Sequence, residues 1–107
     1  CIFCEIINHK IPSERIAETD ELIVIKDIAP KAPIHYLIIP KKHLANIPEM
    51  QDGDEVLVSK LITMAQTLSK QIPGAQEFKL VSNNGKSAGQ IVFHLHLHFL
   101  AGMKVRD

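Results

Sequence analysis

The sequence has little cysteine, no excess of either charge and no long apolar run, and each absence excludes a class of protein. Only two of the 107 residues are cysteine. A single close pair without a signal-peptide pattern argues against the disulfide framework of secreted proteins. Twelve basic and twelve acidic residues cancel, so no basic surplus indicates a nucleic acid polymer as partner. No apolar run approaches the ~20 residues of a membrane span, so we expect a cytoplasmic protein with reduced thiols and no membrane partner.

The remaining composition is that of one globular domain. Apolar residues make up 46% of the chain, and a domain of this size buries about two-thirds of its unfolded surface. Apolar periodicity predicts a long helix over 55–71, which Asp52 and Glu55 would begin as a capping box. Helical spacing also predicts a short helix over 3–9.

Runs of β-branched and apolar residues predict five strands. They cover residues 16–18, 22–25, 35–39, 78–82 and 93–100. Apart from the long helix, the connections between strands are short, which favours antiparallel pairing. We therefore expect a single α+β domain over 1–107, in which an antiparallel sheet of about five strands carries the long helix on one face.

The segment from Phe93 to Leu100 alternates between histidine and apolar residues. His94, His96 and His98 share one parity, and strand side chains alternate between faces, so three imidazoles would line one face about 6.6 Å apart. Imidazole titrates near neutral pH, binds metals and acts as a nucleophile. Three interpretations follow: hydrogen-bonded histidines of a half-buried strand, a metal site, and covalent catalysis by one imidazole.

A polar loop over 83–90 leads directly into this segment. Gly85 and Gly89 allow the backbone to approach a ligand closely, and successive backbone N–H groups can bind phosphate oxygens. The order along the chain therefore predicts an anion cradle next to a nucleophile.

Residues 94–100 read His-Leu-His-Leu-His-Phe-Leu, which resembles the His-φ-His-φ-His-φ-φ signature of the histidine triad (HIT) family, where φ is apolar. Stretches 27–35, 39–43 and 83–90 are similar to those of its Hint-like branch, so the resemblance covers nearly the whole chain. It implies a nucleotide hydrolase or nucleotidyl transferase that cleaves at the α-phosphate of purine nucleoside phosphoramidates or related nucleotides. It also implies a homodimer that forms one continuous sheet.

The resemblance assigns roles to individual residues. His96 would attack phosphorus and form a nucleotidyl-histidine, His98 would stabilise the phosphate oxygens, and Gln90 would complete the catalytic set. Asp27 would bind the ribose, apolar side chains would enclose the purine, and the loop would hold the phosphate. With His96 and His98, the expected nucleotide-binding residues are Ile2, Phe3, Ile6, Ile25, Asp27, Ile28, Asn83, Gly89, Gln90, Ile91 and Val92.

Some of these assignments have competing interpretations. From the sequence alone, the favoured interpretation of the five isoleucine and phenylalanine residues expected around the base is that they are core residues. Ile91 stands where the branch commonly has a hydroxyl residue that helps the leaving group, and Lys26 stands where it often has histidine. Both departures bear on substrate preference.

The two cysteines form a Cys-x-x-Cys sequence at residues 1–4. In many bacterial members of the family such a pair binds zinc together with two histidines. The implied ligands are Cys1, Cys4, His43 and His94. Four protein ligands complete a tetrahedral site, which is typical of structural zinc. The alternative is that both cysteines are small apolar residues beside a hydrogen-bonded His94; His9 and His35 receive no chemical role.

Competing functions remain open at this point. One is a nucleotide- or zinc-binding interaction module with little activity, and another is a dinucleoside polyphosphate hydrolase. A third is a metalloenzyme in which His94, His96 and His98 bind a zinc ion with an open fourth position.

Overall fold

Five strands form one antiparallel sheet. The computed structural model describes residues 1–102. The strands are β1 (Arg15–Glu18), β2 (Leu22–Lys26), β3 (Ile34–Pro40), β4 (Phe78–Val81) and β5 (Leu97–Ala101). The helices are α1 (Ile2–Ile7) and α2 (Asp54–Gln71), and short 3₁₀ turns lie at Ile47–Glu49 and Lys86–Ala88.

The strand order is β1-β2-β3-β5-β4, and every neighbouring pair is antiparallel. The predicted fold class is therefore confirmed, including one long and one short helix. Residues 103–107 of the predicted domain lie outside the described part of the chain. Within residues 1–102, neither helix has the length and apolar character needed to cross a bilayer.

Both faces of the sheet are covered: the long helix α2 lies on one face, as predicted, and the short helix α1 covers the other. Leu22 and Val24 belong to the core cluster that contains the buried apolar residues of α2, which we call the α2-side core. Ile23 and Ile25 belong to a second cluster with Phe3 of α1, which we call the α1-side core. Because neighbouring strand residues point to opposite faces, alternate residues of β2 enter different clusters. A strand buried on both faces reads as a continuous apolar run.

The start of α2 differs from the predicted capping box. Gly53 is the N-cap with a φ of 94°, and no side chain caps the helix from that position. Glu55 Oε2 accepts from the Gly53 N–H at 3.1 Å, and Asp54 Oδ2 accepts from the Gln51 N–H at 2.9 Å. The helix begins one residue earlier than predicted because glycine adopts the left-handed turn at its entrance readily.

Strand β5 is shorter than the predicted strand over 93–100. In the register, Ile38 of β3 pairs with Leu97, and two residues further along β3 stands Pro40, which has no N–H to continue the ladder. The Leu95 N–H donates instead to the Leu44 carbonyl. Residues 93–96 therefore form no strand, although Leu95 still enters the α2-side core.

Candidate active site and metal cluster

The histidines that the sequence predicts to be functional lie on the α1 face of the sheet. His98 has opposite parity to Leu97 and Phe99, both of which pack in the α2-side core. The ring centroids of His96 and His98 are 5.1 Å apart, and the Phe3 ring of α1 is 5.1 Å from that of His96. Alternation along the segment thus separates imidazoles from the α2-side core, as the sequence predicted.

The hydrogen bond of His96 defines which of its nitrogens can react. Nδ1 lies 2.7 Å from the backbone oxygen of His94. A carbonyl oxygen only accepts, so Nδ1 carries the proton and the lone pair is on Nε2. Burial lowers the pKa of His96 below its usual range, against the opposing effect of the His94 hydrogen bond. The ring is therefore neutral at physiological pH and presents a nucleophilic Nε2.

A second chain of hydrogen bonds sets the tautomer of His98. The Lys31 N–H donates to Nδ1 of His35 at 3.0 Å, so the neutral His35 ring carries its proton on Nε2. That nitrogen lies 2.9 Å from Nδ1 of His98 and donates to it. His98 consequently carries its own proton on Nε2. Burial, followed by the neighbouring His96 and His35 rings, lowers the pKa of His98 to about 4, so it is a neutral donor rather than a cation.

Sequence reasoning assigned no chemistry to His35, yet this side chain controls His98. In the register, His35 pairs with Leu100 and Leu37 pairs with His98. His35 and His98 are thus diagonal neighbours on one face, which is within reach of ring contacts. The sign of this role is the contact between His35 and His98, which are 63 residues apart in the chain. It requires knowledge of how β3 and β5 pair, and the position of His35 within its own strand does not reveal it.

Asp27 completes this group at the end of β2. Its Oδ2 lies 3.3 Å from Nε2 of His35 and 3.9 Å from Nδ1 of His98, while Oδ1 accepts from the Ala29 N–H at 2.8 Å. Three such groups are close enough to hold a cation. However, the proton on His35 Nε2 occupies the position a metal would need, because the Lys31 N–H holds the other nitrogen. Burial also lowers the pKa of His35, so His35 and His98 form a pair of neutral, hydrogen-bonded rings beside the Asp27 carboxyl group.

The cysteines and two histidines form a separate cluster whose dimensions fit zinc. Cys1 Sγ is 3.4 Å from Nδ1 of His94, and Cys4 Sγ is 3.3 Å from Nδ1 of His43 and 3.6 Å from that of His94. Tetrahedral zinc with ordinary bond lengths places sulfur and nitrogen ligands about 3.5 Å apart. Nε2 of His94 donates to the Pro40 oxygen at 2.7 Å, which directs the Nδ1 lone pair toward the sulfurs. Such a second bond is the usual orientation of a metal-binding histidine.

Gln90 is more buried than its predicted role requires. Its side chain is 3% exposed. Oε1 accepts from the Gly85 N–H and from Nδ2 of Asn46, and Nε2 donates to the oxygens of Ala45 and Val92. Both donors and both acceptor positions of the amide are therefore used. In this structure Gln90 ties the loop to the segment after β3, and its contact with a phosphate stays a prediction.

The loop before the histidines is compact. The N–H groups of Gly89 and Gln90 bond within the 3₁₀ turn. Gly89 has a φ of 94°, and an added Cβ there would lie 3.9 Å from Cγ of Asn83, so these two residues are neighbours. Val92 packs against the α1-side core, whereas Ile91 is 89% exposed. The predicted binding role of this loop remains a prediction.

The five apolar residues expected around a base divide into two groups. Phe3, Ile6 and Ile25 are buried in the α1-side core, as the competing interpretation proposed. Ile28 is 99% exposed and Ile2 is 48% exposed, so both have surface available for a ligand. A base contact by any of the five is untested.

Comparison with known proteins decides the family. The family model described as HIT domain matches residues 8–105. The chain belongs to the HIT family. An uncharacterised HIT-like protein of Synechocystis is 41% identical over 101 residues, which are 94% of this chain and 89% of the relative.

Solved structures of other HIT proteins are similar to this chain. A HIT family hydrolase from Clostridium thermocellum is 39% identical with a TM-score of 0.94, covering 100% of this chain and 94% of its own. A zinc-bound histidine triad family protein from Mycobacterium smegmatis is 30% identical with a TM-score of 0.82, covering 94% of this chain and 73% of its own. The chain is therefore a HIT protein similar to hydrolases of that family.

Proposed function

We propose that the protein hydrolyses purine nucleoside phosphoramidates or related nucleotides at the α-phosphate through a nucleotidyl-histidine on His96. The observation that carries this proposal is the pair of tautomers in the row of histidines. The unprotonated Nε2 of His96 belongs to a neutral ring. Its neighbour His98 carries a proton on Nε2. A nucleophile thus stands next to a donor for phosphate oxygens.

In the first step, Nε2 of His96 attacks the α-phosphorus, the nitrogen–phosphorus bond forms, and the bond to the leaving amine breaks. The amine departs with a proton taken from water. His98 donates through Nε2–H to a non-bridging oxygen as charge develops there. The His96 ring becomes positively charged when phosphorus is attached, and the His94 oxygen that accepts its Nδ1–H stabilises that charge.

In the second step, water attacks phosphorus and loses a proton to the solvent, where it neutralises the hydroxide left by the first step. The bond between phosphorus and Nε2 breaks, its electron pair returns to the ring, and nucleoside monophosphate leaves. Asp27, Asn83 and the loop over 89–92 bind the nucleotide in this proposal, with Ile28 and Ile2 against the purine. A homodimer through a sheet edge agrees with β1 and β4 being the edge strands in the described residues.

Zinc is proposed as a structural ion held by Cys1, Cys4, His43 and His94. The donor set is complete, with two thiolates and two imidazoles whose spacing fits a tetrahedral ion. When bound, zinc supplies rigidity rather than a Lewis acid for the reaction, because no coordination position remains open.

The proposal is tested by trapping the intermediate. The protein is mixed with an adenosine phosphoramidate, quenched under alkaline conditions that preserve phosphorus–nitrogen bonds, digested and analysed by mass spectrometry. We expect one adenylyl group on the peptide that contains His96. Turnover without an adduct in this peptide would contradict the covalent mechanism, and tight nucleotide binding without any turnover would support an interaction module instead.

His35 provides a further prediction, because it acts through His98. We expect His35→Leu to reduce kcat about tenfold or more, since His98 Nδ1 loses its donor and its tautomer is no longer fixed. The matched variant is His35→Gln, whose amide N–H can still donate to His98, and it should retain more of kcat. Steady-state kinetics of both variants make the comparison. Equal kcat values for the two would show that the hydrogen bond does not matter.

A further inference from the structure

We propose that the Cys/His cluster controls the orientation of the nucleophile, with Phe3 as the positioning residue between them. The proposal deepens the function proposed above, and it concerns how the reactive ring of His96 is held before any substrate binds. Two physical links connect the cluster to this ring. Each is short, and each begins at a residue whose position depends on the cluster.

The first link is the aromatic ring of Phe3. This residue lies between Cys1 and Cys4 in the chain and is only 6% exposed. Its ring centroid is 5.9 Å from that of His94 and 5.1 Å from that of His96, with interplanar angles of 78° and 80°. Edge-to-face contacts of this kind have a preferred geometry. Phe3 therefore packs against one ring of the cluster and against the nucleophile at once.

The second link is the backbone of His94. Its carbonyl oxygen accepts the Nδ1–H of His96, which defines the reactive tautomer. The side chain of the same residue is completely buried. It is held on one side by the Pro40 oxygen and on the other by the sulfurs of Cys1 and Cys4. A bound metal would fix this residue, and through it the acceptor that the nucleophile needs.

Helix α1 depends on such anchors because it has only six residues. A helix of this length is unstable alone, so its position is set by tertiary contacts. At its C-terminal end, Nη2 of Arg15 donates to the oxygens of Ile6 and Ile7. At its N-terminal end, the contacts of Cys1 and Cys4 with the histidines hold it in place. Phe3 also packs in the α1-side core, so loss of the metal would loosen the end that carries Phe3 and shift its ring, while the other end stays attached.

The consequence is a metal-dependent enzyme whose metal takes part in no chemical step. Without metal, the Phe3 ring and the His94 carbonyl lose their fixed positions. His96 then samples other ring orientations and the Nε2-protonated tautomer, which cannot attack phosphorus. The fold itself is kept by the α2-side core, which includes Leu61, Leu68 and Phe99 and is separate from α1.

The test observes His96 directly, without substrate. In zinc-loaded protein labelled with nitrogen-15 at its histidines, we expect the NMR spectrum of His96 to show an Nδ1–H proton that exchanges slowly with water and an unprotonated Nε2. Chelation should shift or broaden these signals while the amide signals of β5 stay in place. Phe3→Leu should have the same effect with zinc still bound. Unchanged His96 signals after complete metal removal would overturn the proposal.

The control is Ile7→Val, which trims a partly buried residue of the same helix that packs on the α1-side core. It should leave the His96 signals as in the wild type. Where Phe3→Leu fails to fold, a chelator titration of the wild type gives the same answer. In kinetic assays, Phe3→Leu should lower kcat about tenfold with little change in KM, whereas loss of a base contact would raise KM. If chelation shifts the His96 signals in a protein that shows no turnover, the proposed reaction is refuted, but the proposed control of His96 by the Cys/His cluster is not.

Discussion

His96→Asn is expected to lower the turnover of an adenosine phosphoramidate by about 10³-fold or more, because it removes the atom that forms the covalent bond. Asparagine is the informative replacement, since its Nδ2–H takes the place of the imidazole Nδ1–H and can still donate to the His94 oxygen. The variant thus lacks the nucleophile but keeps the local hydrogen bond. Release of adenosine monophosphate measures the loss, and calorimetry should show nucleotide affinity within a few-fold of the wild type.

The control for this prediction is the same change at an exposed histidine. His9 has a φ of 62°, a conformation that asparagine tolerates better than most residues. His9→Asn should therefore fold normally and keep full turnover. Equal rates for His96→Asn and the wild type would exclude His96 as the nucleophile.

Among the substitutions considered, we expect Cys4→Ser to cause the largest loss of thermal stability. Cys4 Sγ contacts the Nδ1 atoms of both His43 and His94, and a serine hydroxyl is a poor zinc ligand. Zinc present at 1,000 times its Kd stabilises the folded state by about 4 kcal/mol. For a domain of this length, that corresponds to a fall in Tm on the order of 15 °C. Thermal unfolding followed by circular dichroism, with metal analysis of the sample, measures it.

Adding a chelator distinguishes a structural zinc site from a metal-free hydrogen-bonded cluster and from a catalytic zinc site. A chelator should lower the Tm of the wild type to that of Cys4→Ser and leave the variant unchanged, because the variant has already lost the ion. An unchanged wild-type Tm, in protein that contains no zinc, would mean that the cysteines and histidines are only hydrogen-bonded. If chelation removed activity but left the Tm of the wild type unchanged, an open zinc site formed by His94, His96 and His98 would gain support, because a closed structural site predicts a loss of stability instead.

Local patterns in the sequence were sufficient for much of the fold. Alternation predicted that Phe93, Leu95, Leu97 and Phe99 lie opposite the imidazoles. The last three enter the core, but Phe93 lies before the strand begins and is 45% exposed. The helical stripe predicted α2. Both depend on residues close together in the chain. The Cys-x-x-Cys spacing, read through the family resemblance, also identified the four residues that the structure brings together as a possible metal site.

The remaining features depend on contacts between distant residues. Strand β5 starts late because of Pro40 in its partner, and the role of His35 follows from the register of β3 against β5. Gln90 was expected at the phosphate, yet the loop and the segment after β3 use all of its hydrogen-bonding groups. None of these contacts leaves a periodic trace in the sequence, so local reasoning could not find them.

The alternation around β5 places two functions on one short stretch of chain. Inserting or deleting a single residue between His94 and Phe99 would exchange the two faces beyond that point. Imidazoles would then enter the apolar interior and leucines would face the proposed nucleotide site, so we expect stability and the proposed chemistry to be lost together. Length variation among related chains should therefore be found in the loop that precedes this stretch, and not within it.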